Sequence, residues 1–213
     1  MLQRLNIKES GAITLALKDV KHTFGAEREG WKFALQAELD SLYESVAVQN
    51  VDHIPHGQKS LPMKIVVTLK PIEGSILKKK KARAVVCGNF QSKTGQLVFT
   101  ENTDVHSIRC ALFIAAQDKT WGVSSIDVST AFLNTPLPDE EEHYVMPPNI
   151  FKDFGLLEDN VIWKLKKAVY GLRVSPRLWG KERDRVISKF VLKTGKVKVG
   201  LFQSTVDPAC WVL

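Results

Sequence analysis

Hydrophobic residues between positions 27 and 46 recur at intervals of three or four. They are Trp31, Leu35, Leu39, Leu42 and Val46. This spacing aligns them on one face of a helix, and acidic side chains near residue 27 suit the positive end of the helix dipole. The pattern therefore predicts an amphipathic helix. Residues 1–26 show no such period, and we interpret them as a loosely ordered leader or linker.

Two β-rich segments, residues 64–70 and 81–87, follow a loop that contains Pro55. A connection that begins at Pro71 separates them, so the pair predicts a β-hairpin with a long turn. Side chains alternate between the two faces of a strand. In the second segment, one face therefore carries Ala82, Ala84 and Val86, and the other carries Lys81, Arg83 and Val85.

The rest of the chain mixes helical and extended patterns. These comprise a helix at 104–119, a short strand at 123–128, a helix that starts at Ser175 and Pro176 and stops near Gly195, and closing strands at 197–203 and 209–213. A serine followed by proline is typical of a helix start. The order of these elements predicts the α+β fold class.

The composition is that of a globular intracellular protein. Of the 213 residues, 44% are hydrophobic and 25% are charged, whereas disordered chains contain far less apolar material. No apolar run approaches the roughly 18–20 residues that span a bilayer, and the N-terminus lacks the apolar stretch of a secretory signal. We therefore expect no membrane association and an intracellular location, without assigning a compartment.

The three cysteines and five histidines give little indication of a metal site. Cys87, Cys110 and Cys210 lie far apart and fit neither a disulfide framework nor a zinc site, so we interpret them as small core residues. His53 and His56 lie three positions apart in a proline-containing loop, whereas a zinc site needs three or four converging ligands.

Charge is distributed unevenly along the chain, whose formal net charge is +7. Residues 59–93 carry a net charge of +8 and residues 163–200 a net charge of +10, and the stretch between them, 94–162, carries −8. Two basic blocks beside one groove would bind a polyanion such as nucleic acid. The alternative is that the basic side chains only solvate exposed faces.

Asp127 is the most informative carboxylate, because it lies at the end of the predicted strand 123–128. A carboxylate at such a position needs a partner, and hard cations such as Mg2+ prefer carboxylate oxygens. The alternative is that Asp127 caps the following turn by accepting hydrogen bonds from free backbone N–H groups. The residues alone leave both possibilities open.

Several short motifs follow one another along residues 27–213. They are Trp31 with Ala34, Glu38 and Leu42; KARAVVCGNFQ from Lys81 to Gln91; SSIDVSTAFLNTPL from Ser124 to Leu137; YVMPP from Tyr144 to Pro148; VIWKLKKAVYGLRVSPRLW from Val161 to Trp179; and DPAC from Asp207 to Cys210. In this order they resemble the reverse transcriptase domain of copia-type LTR retrotransposons.

The resemblance implies the fingers and palm of a right-hand polymerase over residues 27–213, incomplete and without a thumb. The implied reaction is nucleotidyl transfer, in which a primer 3′-hydroxyl attacks the α-phosphate of a nucleotide. Two divalent metals, Mg2+ or Mn2+, then stabilise the attacking and leaving oxygens. Asp127 matches the first metal-binding catalytic aspartate, and the backbone carbonyl of Val128 is expected beside it.

The resemblance also assigns residues to the incoming nucleotide. Phe132 matches the aromatic residue beneath the sugar that disfavours a 2′-hydroxyl, with an ordinary core aromatic as the alternative. Arg83 and Lys81 match basic finger residues that hold the triphosphate, where cationic donors stabilise developing charge. The neighbouring lysines at 78–80 are interpreted as a solvated turn.

A second set of matching residues concerns the loop after residue 169. Tyr170 and Gly171 match a loop that approaches the nucleotide and the template, where glycine permits close backbone approach. Arg173 and Arg177 lie in the same motif, and we expect their guanidinium groups to meet nucleic-acid phosphates.

The sequence departs from the family pattern at two positions. Val174 replaces a usual glutamine, from which we expect a weaker polar contact with the substrate, and Thr135 replaces a usual glycine in a turn. The acidic run at 139–142 is interpreted as solvated side chains, and Trp163 and Trp179 as core residues.

The second metal-binding motif of the family, Tyr-x-Asp-Asp, does not occur in this sequence. One aspartate does not hold two metal ions in a defined geometry, so we predict that this polypeptide does not polymerise by itself. The expected partners are an RNA or DNA template–primer, deoxynucleotides, and the remaining palm, thumb, RNase H and integrase of a Pol polyprotein. The alternatives are a non-catalytic, nucleic-acid-binding remnant and an unstable pseudogene product.

Overall fold

The computed structural model describes residues 11–72, 75, 78–91, 98, 100, 102–194 and 197–212. Its strands are β1 Ile13–Leu15, β2 Val48–Val51, β3 Ser60–Pro71, β4 Lys78–Val86, β5 Tyr144–Met146, β6 Ile162–Leu165, β7 Val191–Thr194, β8 Val197–Gly200, β9 Phe202–Gln203 and β10 Trp211–Val212. Its helices are α1 Leu17–Lys21, α2 Gly25–Glu44, α3 Val105–Gln117, α4 Ile150–Asp153 and α5 Ser175–Ile187, and 3-10 turns cover Gly88–Phe90 and Ala131–Asn134. The mixture of helices and strands confirms the predicted α+β class.

The predicted amphipathic helix is confirmed as α2, which packs across β4. Its buried residues are Trp31, Ala34, Leu35, Leu39 and Leu42. Val46, expected on the same face, is 60% exposed and has a φ of 54°. That expectation was wrong because the helix ends at Glu44 and the chain turns, so the next residue, Ala47, enters the core instead.

The predicted hairpin is confirmed as β3 and β4, which pair antiparallel from Met63 opposite Val86 to Pro71 opposite Lys78. The face that carries Ala82 and Ala84 is buried, as expected. The lysines at 78–80 belong to β4 and not to a solvated turn, because strand pairing extends over them. Lys80 also has its Nζ 3.0 Å from the Glu27 carboxylate.

This hairpin is part of a six-stranded sheet. β3 pairs antiparallel with β1 and β4 and parallel with β5, and β6 joins β5 to β2. Part of the expected leader is therefore ordered: Ile13–Leu15 pairs with β3, and Val20 of α1 is fully buried. The expectation of a loose leader fails over these residues because a strand and a short helix need too few residues to show a period. Residues 1–10 lie outside the described residues.

Trp163 of β6 lies at the centre of the core and is fully buried, as predicted. Its ring packs against Phe151 at a centroid distance of 6.3 Å and edge-on against Tyr43 at 6.0 Å. Its indole N–H donates a hydrogen bond to the Tyr43 hydroxyl at 3.0 Å. This bond satisfies the one polar group of a buried tryptophan.

The helix predicted at 104–119 is confirmed as α3, but none of its residues is buried. The strand predicted at 123–128 is absent: that segment pairs with no strand within the described part of the chain. Ile126 within it is 91% exposed. A short apolar segment does not by itself make a strand, because a strand needs a hydrogen-bonding neighbour.

The C-terminal segment forms two small antiparallel ribbons, β7 with β8 and β9 with β10. Asp207 fastens the second ribbon to α3, since its carboxylate accepts the backbone N–H of Asp104 at 2.9 Å. Hydrogen bonds from Ser107 and from this N–H lower the pKa of Asp207. An acceptor at the start of a helix satisfies one of its free backbone donors.

The cysteines were predicted to be core residues, and this was wrong. Cys110 is exposed, and Cys87 and Cys210 are only half-buried. Cys110 lies on the unburied helix α3, and Cys210 lies in the ribbon beside it. Burial of a cysteine depends on the element that carries it, and α3 and this ribbon lie outside the main core.

Candidate active site

One cavity of about 410 Å3 brings together residues from distant parts of the chain. It is lined by Glu38, Lys81, Arg83, Asp127, Val128, Ser129, Thr130, Ala131, Phe132, Leu133, Tyr170 and Trp179. Six of the residues that the sequence assigned to metal or nucleotide lie here: Lys81, Arg83, Asp127, Val128, Phe132 and Tyr170. They come from β4, the segment before the second 3-10 turn, that turn itself, and the loop that precedes α5.

The cationic wall of the cavity is formed by Lys81 and Arg83 of β4. Because side chains alternate along the strand, both point away from the core face that holds Ala82 and Ala84. Within the described residues, neither cation lies within 4.0 Å of a carboxylate. Burial and the charge of Arg83 lower the pKa of Lys81. The two cations are therefore available to an anionic ligand.

An aromatic pair forms another part of the wall. The rings of Phe132 and Tyr170 meet edge to face, with centroids 5.2 Å apart. The guanidinium of Arg83 lies 5.4 Å from the centre of the Tyr170 ring, which is within the range of a cation–π contact. Phe132 is half-buried at the cavity, so the core alternative for this residue does not describe its position.

Glu38 is a lining residue that the sequence analysis used only as part of a motif. Its carboxylate accepts the backbone N–H of Ala84 at 2.8 Å, and burial raises its pKa. The signal was present in the sequence: position 38 falls on the apolar face of α2, between Leu35 and Leu42, where an acid is unusual.

Trp179 was predicted to be a core residue, and this was wrong. It is half-buried and lines the cavity from α5. The helical period places it on the inner side of α5, but that period does not tell a core contact from a cavity wall.

Gly171 lies beside the cavity and not on its wall. Its φ is +84°, and a Cβ at this position would overlap the carbonyl oxygen of Val86. The backbone N–H of Val86 donates to the carbonyl of Tyr170 at 2.8 Å. Only glycine fits this crossing of the two backbones.

The two arginines that the resemblance assigned to nucleic acid are not among the residues that line the cavity. The backbone N–H of Arg173 donates to the Oε1 of Gln91 at 2.8 Å. The Nη2 of Arg177 lies 4.0 Å from an oxygen of Glu141, a carboxylate that is only 7% exposed.

The acidic run at 139–142 is only partly solvated. Asp139 and Glu140 are exposed, as expected. Glu141 is buried and lies 3.2 Å from His143. Glu142 accepts hydrogen bonds from Lys164, Gln58 and Tyr144, which lower its pKa to about 2. The prediction was wrong for Glu142 because strands β5 and β6 bring Tyr144 and Lys164 to it. It was wrong for Glu141 because this residue is buried beside His143 and Arg177.

The two departures from the family pattern are both buried. Val174 is 1% exposed and packs in the core at the start of α5. Thr135 is 2% exposed and has a φ of −107°, so this position does not require the conformational freedom of glycine.

The donors present do not fit a pair of metal ions by themselves. Asp127 is exposed and makes no hydrogen bond or ion pair with another described residue, and Thr130 occupies the N-cap of the following 3-10 turn. The capping alternative for Asp127 is therefore not observed. Across the described ranges, no group of three or more His, Cys, Asp or Glu side chains converges to hold a metal.

The family model described as reverse transcriptase (RNA-dependent DNA polymerase) matches residues 46–208. The chain therefore belongs to this family, and its predicted kinship with copia-type retrotransposon reverse transcriptases is confirmed.

Three relatives are retrovirus-related Pol polyproteins of plant transposons. The chain is 36% identical over 165 residues to that of transposon TNT 1-94 of Nicotiana tabacum, covering 76% of this chain. It is 28% identical to that of RE1 and 27% identical to that of RE2, both of Arabidopsis thaliana, over 98% and 100% of this chain. The chain spans only 12 to 14% of the length of these relatives. No solved structure matches it significantly.

Within the part of the chain that the structure describes, every helix is too short or too polar to cross a bilayer.

Proposed function

We propose that this chain is the fingers-and-palm part of a retrotransposon reverse transcriptase and that its cavity receives the incoming deoxynucleoside triphosphate. Support comes from a single observation: two cations that pair with no carboxylate of the described residues, an aromatic pair and an exposed aspartate line one cavity of about 410 Å3. These are the groups that phosphate, sugar and metal would each require.

The cations and the aromatic pair have separate roles in this proposal. Arg83 and Lys81 bind the triphosphate and stabilise the charge that develops on the leaving pyrophosphate. Tyr170 orients the Arg83 guanidinium through its ring face. Phe132, held edge-on by Tyr170, lies under the sugar and excludes a 2′-hydroxyl.

Mg2+ or Mn2+, when bound, would supply Lewis-acid stabilisation of the phosphoryl oxygens. In this chain the Asp127 carboxylate and the Val128 carbonyl would contribute to holding it. The sequence contains no Tyr-x-Asp-Asp motif. We therefore infer that the isolated polypeptide binds nucleotide without polymerising it, and that the remaining Pol polyprotein and a template–primer complete the site.

A fluorescence titration tests nucleotide binding. Trp179 lines the cavity, so its emission should change when dUTP with MgCl2 is added, and Trp179→Phe should remove that change. We expect Arg83→Gln to weaken binding about tenfold or more, the scale of a lost charge-assisted contact. Lys79→Gln removes an equal charge from an exposed position on the same strand and should bind as the wild type does.

Absence of a signal in the wild type would overturn nucleotide binding, and a saturable signal that Arg83→Gln leaves unchanged would overturn the proposed site. Incorporation of nucleotide on a primed RNA template by the isolated chain would refute its inferred inactivity.

A second candidate function is nucleic-acid binding without catalysis. Several lysines of the basic block 163–200 are exposed and make no ion pair with described residues: Lys181, Lys189, Lys193 and Lys198. This candidate predicts salt-sensitive, sequence-independent binding that survives Asp127→Asn. An absence of affinity for a primer–template at low salt would exclude it.

A further inference from the structure

The end of β4 and the loop at residues 170–173 are joined at a tight backbone crossing. The N–H of Val86 donates to the carbonyl of Tyr170. A little further along each segment, Gly88 and Gly171 pass so closely that a Cβ on Gly88 would overlap the carbonyl oxygen of Gly171. The crossing therefore fixes the loop at Tyr170 and Gly171.

Gln91 holds the same loop two residues beyond the crossing, at Arg173. Its side-chain oxygen accepts the backbone N–H of Arg173 at 2.8 Å. A backbone N–H can only donate, so the side-chain atom that faces it must be the amide oxygen. Gln91 is itself held by the 3-10 turn Gly88–Phe90, since its own N–H donates to the carbonyl of Gly88 at 3.1 Å.

The position of Tyr170 matters because its ring contacts both Phe132 and Arg83. Gln91 does not line the cavity that contains these three side chains, although it borders a separate groove with Phe90 and Glu141. Gln91 therefore acts on the cavity indirectly, and its side-chain contact with the Arg173 amide leads to the loop that carries Tyr170.

We propose that Gln91 is a positioning residue for the nucleotide site. By holding the N–H of Arg173, it keeps the Tyr170 ring between Phe132 and the Arg83 guanidinium. Gln91 itself does not touch the nucleotide. This inference rests on the proposed nucleotide binding at the same cavity.

The test compares variants that remove or keep the acceptor oxygen. Gln91→Leu removes it at similar size, Gln91→Glu keeps it, and Gln49→Leu is a control at an exposed glutamine of β2. In the dUTP titration we expect Gln91→Leu to bind about five- to tenfold more weakly, the scale of one lost hydrogen bond. Gln91→Glu and Gln49→Leu should stay within about twofold of the wild type.

Hydrogen exchange provides a readout that a general loss of stability would not reproduce. The Arg173 amide should exchange slowly in the wild type and in Gln91→Glu, and quickly in Gln91→Leu, while the amides of α2 remain protected in all three. If Gln91→Leu does not fold, Gln91→Asn, whose oxygen is one methylene shorter, should show the same loss of affinity and protection.

The possible failures are distinguishable. If the wild type binds dUTP, Arg83→Gln does not, and a folded variant without the acceptor binds as the wild type does, Gln91 has no positioning role. If Arg83→Gln also binds normally, the proposed nucleotide site is wrong, and this inference is refuted with it.

Discussion

The ring of Phe132 contacts the ring of Tyr170 edge to face, with their centroids 5.2 Å apart and their planes inclined at 71°. The two residues belong to separate motifs, one in a 3-10 turn and the other in the loop before α5. Their contact joins these segments at the wall of the cavity that also holds Arg83. Edge-to-face aromatic pairs are directional, so the contact restricts the orientation of both rings.

Phe132→Ala should reduce discrimination against ribonucleotides. The comparison of dUTP with UTP isolates the 2′-hydroxyl, because the two nucleotides differ nowhere else. We expect the wild type to favour dUTP and the variant to lose about tenfold of that preference, the scale of a steric specificity contact. Competitive fluorescence titrations measure it. Phe113→Ala, at a 68% exposed position on α3, is the control. Equal preferences for dUTP over UTP in all three proteins would contradict the proposed exclusion of a 2′-hydroxyl by Phe132.

Gly171→Ala should destabilise the chain more than an alanine at an equally strained but open position. Gly57 has a φ of +85° and open space where a Cβ would lie, whereas Gly171 has a φ of +84° and a blocking carbonyl. We expect Gly57→Ala to cost about 1 kcal/mol and Gly171→Ala more than about 3 kcal/mol. Urea unfolding measures both. Similar costs would show that the backbone crossing relaxes easily.

Glu38→Gln should stabilise the chain at neutral pH. Burial raises the pKa of Glu38 above the ordinary value of 4.5, so the folded state favours the protonated form. The stability that this preference contributes is present below pH 4.5 and is lost as the pH rises through the folded pKa. Glutamine removes this loss and still offers an oxygen to the N–H of Ala84.

Urea unfolding at pH 4 and pH 7.5 checks this expectation. The gain from Glu38→Gln should be clear at pH 7.5 and small at pH 4. Glu44→Gln, at an exposed position at the end of the same helix, should leave the free energy of unfolding unchanged at both pH values. A loss of stability at pH 7.5 would mean that the charge of Glu38 is favourable beside Lys81 and Arg83.

Glu142→Gln should destabilise the chain at neutral pH, in contrast to Glu38→Gln. Hydrogen bonds from Lys164, Gln58 and Tyr144 lower the pKa of Glu142 to about 2. The stability that these bonds contribute is therefore present above pH 4.5 and lost as the pH falls towards 2. The variant should be less stable at pH 7 and show a weaker acid dependence.

Thermal unfolding between pH 3 and pH 7 measures that difference. The neighbouring Glu140 is exposed, so Glu140→Gln should follow the wild-type curve. Identical curves for all three proteins would show that the Glu142 cluster contributes nothing to folding.

The sequence predicted those elements whose side chains repeat over many residues. Helix α2 and the β3–β4 hairpin were recognised because burial on one face imposes a period of 3.6 or of 2. Strands β1, β2, β5 and β6 were missed because three or four residues are too few to establish a period. The strand at 123–128 was predicted wrongly because the residues of one segment carry no information about whether a neighbouring strand is present.

By itself, the sequence determined the family and the residue types of the candidate site, because motif order and spacing are properties of the chain. Only the tertiary structure decided which residues meet. It brought Lys81, Arg83, Phe132 and Tyr170 to one cavity, added Glu38 and Trp179, and paired Arg177 with Glu141 instead. The physical reason is that such contacts depend on how distant elements pack, and no local period or propensity encodes the distance between them.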